Sequence, residues 1–233
     1  MPNFDFVKST DVKNTFRVKS IKGTFDIDKD KVSHVFKGNL DIEDKEWNIG
    51  VIVGSSGTGK TSIAKQCFGE FDIHKYSSGA IIDDMPKTSS VNDIAKMFNS
   101  VGFGSPVSWL KPYNVLSNGE KMRVDLARSL MSEKEIILFD EYTSVVDRDV
   151  AKIGSYATQK AIRKKGKKFI AVSCHFDIVE WLEPDWIYNT DEERFFFVRK
   201  NTKDQKLIYR YSTLSITQAR SKEFGMPLGN III

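Results

Sequence analysis

The chain has 233 residues, 40% of them hydrophobic, enough for one large core or one core with an appendage. Lys+Arg number 35 against 31 Asp+Glu, and a net charge of +4 is too small to require a nucleic-acid partner. No stretch approaches ~18 consecutive apolar residues and MPNFDFVKST lacks a basic region followed by an apolar run, so neither a membrane span nor a signal peptide is expected.

Taken in chain order, residues 16–21, 24–27 and 32–42 cluster or alternate apolar side chains around Lys22-Gly23 and Lys37-Gly38-Asn39, and are predicted as short strands. Val51-Ile52-Val53 is β-branched and wholly apolar, as suits a buried parallel strand. It leads into Gly54-Ser55-Ser56-Gly57-Thr58-Gly59-Lys60-Thr61, the pattern G-x-x-x-x-G-K-[ST], after which Ser62 and Ile63 continue a helix predicted to end near Gly69. Glycines let this loop turn tightly and bring backbone N–H groups against phosphate oxygens, while the helix N-terminus adds partial positive charge. Lys60 is placed to reach the β and γ phosphates and Thr61 to ligate Mg²⁺.

Residues 79–86, GAIIDDMP, read as another apolar strand ending in Asp83 and Asp84. Ser90 is a helix N-cap with Asp93 three residues on; Ile94, Met97, Phe98 and Val101 follow at helical spacing and Gly102 stops the helix. A Gly-, Ser- and Pro-containing loop over 102–113 leads to VLSNGEKMRVDLARSLM, predicted as a helix after Gly119 with Met122, Leu126, Ala127 and Leu130 inward. EIILFDEY is a strand ending in acids, residues 147–168 a helix with Val150, Ile153, Gly154, Ala157 and Ala161 on its apolar face, and KFIAVSCH a further buried strand. From Trp186, WIYNTDEERFFFVRK reads as a hairpin and KLIYRYS as one more strand. Cys67 and Cys174 form no metal-ligand spacing, which fits a reducing, cytoplasmic setting. Strands alternating with helices point to a parallel α/β sheet.

Leu116-Ser117-Asn118-Gly119-Glu120 resembles the LSGGQ signature of ATP-binding-cassette (ABC) ATPases, with Asn and Glu replacing the first Gly and the Gln. The same residues also read as an ordinary capped helix start, with Ser117 the cap and Glu120 its capping-box partner. Ile136 to Glu141 resembles that family's Walker B strand, Ser144 to Asp147 its D-loop, and His175 its switch histidine. With the phosphate loop these motifs stand in family order and cover most of the chain. The resemblance implies a P-loop NTPase of α/β class with the ABC cassette fold: a RecA-like core, an antiparallel β subdomain and a short helical arm.

Expected limits are 1–190 for the cassette, about 87–131 for its arm, and 191–233 for a C-terminal β-rich extension or docking element. The resemblance implies Mg-ATP as ligand, held by Gly54 to Ser62. Asp140 holds Mg²⁺ with Thr61, Glu141 activates water, and His175 contacts the γ-phosphate. Ser117, Asn118, Gly119, Glu120 and Asp147 act in trans in a head-to-tail homodimer. The family's usual Gln after the phosphate-loop helix is missing; Asp83 or Asp84 stands there, and Asp84 is the expected third metal ligand. The adenine-stacking aromatic is expected at Phe25, with Phe36 in reserve.

The short arm and missing Gln resemble ABC ATPases linked to predicted acetyltransferase domains, which implies a non-transport, acetyltransferase-like partner. A transporter's nucleotide-binding subunit, and a switch module with little turnover, are the alternatives. The basic run QKAIRKKGKK fits a solvated helix end; nucleic-acid contact is its other reading.

Overall fold

The computed structural model describes residues 2–27 and 31–198, which form a five-stranded sheet, a separate two-stranded sheet and their flanking helices. In chain order the elements are β1 (Asn3–Asp11), α1 (Phe16–Thr24), β2 (Lys31–Asn39), β3 (Ile49–Val53), α2 (Lys60–Phe68), α3 (Val91–Ser100), α4 (Pro106–Trp109), α5 (Asn118–Leu130), β4 (Ile136–Phe139), α6 (Arg148–Lys165), β5 (Lys168–Ser173), α7 (Ile178–Leu182), β6 (Trp186–Asn189) and β7 (Arg194–Phe197). The large sheet runs β4-β5-β3-β6-β7. Its first four strands are parallel, and β7 closes one edge antiparallel to β6.

β3 is the centre of the design. All five of its residues are buried, and its β-branched side chains alternate between two cores. Ile49, Val51 and Val53 face the cluster formed with α3, α5, α6 and α7; Ile52 faces the cluster that includes Phe4, Ile63 and Trp186. Burial of each such side chain contributes about 1.5–3 kcal/mol. Gly50 leaves room for the Trp186 indole, since a Cβ there would lie 2.0 Å from it. Asp185 accepts from the Asn48 and Ile49 N–H groups and pairs with Arg163, which fixes where β3 begins.

The helices start and stop where their caps dictate. The Ser90 side chain accepts from Asp93 N–H, and Ile94, Met97 and Phe98 form the buried stripe of α3. Ser117 and Glu120 form a reciprocal capping box on α5. Gly166, at φ 68°, ends α6.

Four expectations are corrected. Residues 16–21 form α1, not a strand: Thr15 caps it, accepting from Val18 N–H, and nothing on it is buried. The stretch 24–27 is the end of that helix and its turn. Residues 79–86 hold a 3-10 turn over Ile81–Asp84: among the described residues no strand pairs with them, and Pro86 has no N–H to give. On α6, Ile153 is 68% exposed, while Ser155, Thr158 and Gln159 are buried with Gly154 and Ala161. The expected boundary at 190 falls inside the β6–β7 hairpin. KLIYRYS and most of the 191–233 extension lie outside the described residues.

Candidate nucleotide-binding site

The phosphate loop joins the C-terminal end of β3 to α2. Gly57 and Gly59 sit at φ 84° and 82°, the left-handed region. A side chain on Gly59 would also strike the Phe36 ring, at 2.3 Å. No side chain caps α2, which leaves its N-terminus to an anion. The Lys60 ammonium, buried, donates to the Ser55 carbonyl at 2.7 Å and so lies folded across the loop.

The β6–β7 turn holds this loop from behind. Asp191 accepts from Ser55 N–H through both carboxylate oxygens at 2.9 Å and lies 3.1 Å from the Ser55 hydroxyl. Thr190 Oγ1 lies 2.6 Å from Thr58 Oγ1 and donates to the Val53 carbonyl at 3.2 Å. Neither residue is visible as a site in the sequence; the only signal is a Thr-Asp pair in a hairpin turn.

Asp140 and Glu141 follow β4 and lie beside the start of α2. Thr61 Oγ1 donates to Asp140 Oδ1 at 3.1 Å, and Glu141 N–H donates to the same oxygen at 3.0 Å. Burial raises the Asp140 pKa, against the opposing hydrogen bonds from Glu141 and Thr61. A half-buried carboxylate beside a hydroxyl is an oxygen donor set that suits Mg²⁺, with phosphate oxygens supplying further ligands. Among the described residues no cluster of three or more His, Cys, Asp or Glu side chains could hold a metal alone. Glu141 is exposed at φ 50°, so its side chain leaves the strand end in a strained turn.

His175 follows the neighbouring strand, β5. Its N–H donates to Ser173 Oγ, which itself donates to the Tyr142 carbonyl at 2.9 Å. These bonds lock the chain ends of β4 and β5 together. Burial lowers the His175 pKa, the Arg148 guanidinium lowers it further, and Asp177 and Glu141 oppose both. Arg148 is itself held by Asp177 and stacked over Trp181 at 4.9 Å.

A cavity of about 330 Å³ adjoins the phosphate loop, lined by Ser56, Gly57, Thr58, Phe36, Tyr188 and Thr190 among others. Phe36 lies on its wall, stacked on Phe6 at 5.0 Å. Phe25 does not: it follows the last turn of α1, is 67% exposed and lines no part of this cavity. The reserve residue, not the first choice, faces the phosphate loop. Asp84 spends a carboxylate oxygen on Ser77 N–H at 2.9 Å, so it serves a turn and gains no support as a metal ligand.

The signature residues form the exposed start of α5. Ser117 N–H donates to Glu120 Oε2 at 2.9 Å, and the Ser108 hydroxyl donates to Glu120 Oε1 at 2.8 Å. These bonds, the first above all, hold the Glu120 pKa low. Ser117 and Asn118 are exposed, and Gly119 packs towards Val150, where a Cβ would lie at 3.1 Å. Asp147 caps α6 through Asp149 N–H. Among the described residues no hydrogen bond ties this group to the chain's own phosphate loop.

The chain has the α/β fold of ATP-binding cassettes, with a phosphate loop at the end of its central strand. No protein-family model matches the chain. The solved structure of the ATP-binding cassette MJ0796, a dimer in a post-hydrolysis state bound to ADP and Pi, superposes with a TM-score of 0.58 at 14% identity, covering 85% of this chain and 99% of that one. The pleiotropic ABC efflux transporter of multiple drugs YBT1 of Candida glabrata is 30% identical over 185 residues, covering 60% of this chain and 11% of that protein. The lipoprotein-releasing system ATP-binding protein LolD of Syntrophus aciditrophicus is 33% identical over 94 residues, 40% of this chain and 41% of its own length. The chain thus spans only a fraction of these curated relatives.

Proposed function

We propose that the chain binds Mg-ATP on its phosphate loop and hydrolyses it in a head-to-tail dimer. The observation that carries this is the meeting of Lys60, Thr61, Asp140, Glu141 and His175 at the ends of three adjacent parallel strands. Lys60 and the loop N–H groups offset phosphate charge. Thr61 and Asp140 hold Mg²⁺, whose charge, when bound, stabilises the transferring phosphoryl group. Glu141, exposed beyond Asp140, accepts a proton from the attacking water. His175 hydrogen-bonds the γ-phosphate. Ser117 and the N–H groups of Asn118 and Gly119, at the positive end of α5, complete the site of the facing chain. That MJ0796 is dimeric with ADP and Pi supports the two-chain arrangement.

For the coupled process, the relatives favour a transport partner. The sequence relatives named above are an ABC efflux transporter and the ATP-binding protein of a lipoprotein-releasing system. Neither structure nor relatives support the acetyltransferase-like or nucleic-acid partner expected from the short arm. Among the described residues no helix is long and apolar enough to cross a membrane, so a transport role requires a membrane-embedded unit besides these residues.

The test is turnover per chain against protein concentration, with Mg²⁺ and no partner. The rate should climb with concentration and saturate as dimers form, and Glu141→Gln should keep ATP binding while losing turnover. A Glu141→Gln variant that hydrolyses like wild type would remove the catalytic assignment. Co-purification with an integral membrane protein, as against an acetyltransferase, separates the partner readings.

A further inference from the structure

The segment that leaves α2 is strapped along α5. Asp72 pairs with Lys134, just beyond the end of that helix. His74 Nε2 lies 2.8 Å from Ser129 Oγ, the Lys75 carbonyl accepts from Arg128 Nη1 at 2.8 Å, and the Tyr76 hydroxyl donates to Asp125 Oδ1 at 2.5 Å. As the segment advances from 72 to 76, its partners step back from 134 to 125, towards the signature.

The strap ends in a built cluster. Tyr113 donates to the other Asp125 oxygen at 2.7 Å, and the Tyr76 and Tyr113 rings stack at 3.9 Å between centroids, 6° from parallel. The Arg128 guanidinium covers Tyr76 at 4.8 Å, and the Lys121 ammonium lies 5.7 Å from Tyr113. Burial raises the Asp125 pKa, and the two phenols are the donors that offset the loss of water. Tyr113 opens the 3-10 turn that delivers Leu116. The Tyr113–Asp125 bond therefore closes a loop of chain with the signature, 116–120, in its middle. The opposite end of the strap is α2, whose first turn carries Lys60 and Thr61.

We propose that Tyr76, Tyr113 and Asp125 are positioning residues that hold the signature turn ready for the γ-phosphate bound by a facing chain, and that residues 69–76 connect this turn to the chain's own phosphate loop. The inference rests on the head-to-tail reading above. None of the three residues contacts the chain's own nucleotide cavity. Their loss should therefore spare ATP binding by one chain and weaken assembly of the shared site.

Tyr76→Phe and Tyr113→Phe keep the ring stack and remove one donor each, so the core stays filled. In a Glu141→Gln parent, sedimentation with ATP should show the dimerisation midpoint raised about tenfold by either substitution. In the otherwise wild-type chain kcat should fall about tenfold at unchanged KM for ATP, with the affinity of the dilute chain for a fluorescent ATP analogue unchanged. Equal dimerisation of parent and Tyr113→Phe overturns the inference alone. A parallel loss of ATP affinity overturns it too, because the cluster then serves the fold in general. A Glu141→Gln parent that stays monomeric with ATP overturns the head-to-tail reading and this inference with it.

Discussion

Asp191 grips Ser55 N–H with both carboxylate oxygens, each at 2.9 Å, so the turn between β6 and the edge strand β7 braces a loop 136 residues earlier in the chain. Charge-assisted bonds in a partly wet setting are worth about 1 kcal/mol net. Asp191→Ala should weaken ATP binding about fivefold, read by calorimetry on dilute protein. An unchanged Kd would mean that the loop holds its shape without the hairpin.

The two aromatic candidates make opposite predictions. Phe36 lines the cavity beside Gly57 and Thr58, whereas Phe25 stands in solvent. Loss of an aromatic that stacks on a base costs roughly 1–3 kcal/mol. Phe36→Ala should therefore raise the Kd for ATP about tenfold or more, and Phe25→Ala should leave it alone. Fluorescence titration of both variants decides, and equal effects would remove Phe36 from the base site.

Much of this site was legible in the sequence because it is written in contiguous motifs. The phosphate loop needs glycines at fixed offsets, Walker B needs an apolar strand ending in acids, and the caps Ser90 and Ser117 announce α3 and α5. What was not legible depends on partners distant in the chain. Phe16 and Ile21 resemble strand residues, but α1 buries neither, so their apolar character misleads. Ile81 and Ile82 form a β-favouring pair that finds no neighbouring strand among the described residues. Asp191 joins the site only through the β6–β7 hairpin and carries no motif, and the choice of Phe36 over Phe25 rests on the β1–β2 sheet.

The proposed Mg²⁺ role of Asp140 predicts a linked metal and acid dependence. Its raised pKa means that protons compete with Mg²⁺ as pH falls towards the carboxylate range. The half-saturating Mg²⁺ concentration for turnover should rise on acidification. Asp140→Asn should raise it ten- to a hundredfold, roughly, and remove most of this pH dependence. A variant with the wild-type Mg²⁺ profile would place the metal elsewhere.

His175 gives a spectroscopic check. Burial depresses its pKa first and Arg148 second, so the folded chain takes up this proton less readily than the unfolded chain. The associated stability is present above the ordinary imidazole value of about 6.5 and is lost as pH falls through the lowered folded value. Arg148→Gln should raise the His175 pKa, followed by NMR titration of the ring protons. A lowered or unmoved value would show that Arg148 exerts no field at the ring.

The two ends of the nucleotide cavity belong to different sheets. Phe36 sits on the two-stranded ribbon of β1 and β2, while the phosphate loop hangs from the buried centre of the five-stranded sheet. Beside this cavity the ribbon meets the rest through Phe4 against Tyr188 and through the Phe36 ring, which a side chain on Gly59 would strike. A ligand spanning both ends is in effect a reversible cross-link. Filling the site ties a peripheral ribbon to the rigid core, so amide exchange in β1 and β2 becomes a gauge of occupancy that β3, buried throughout, is too well protected to provide.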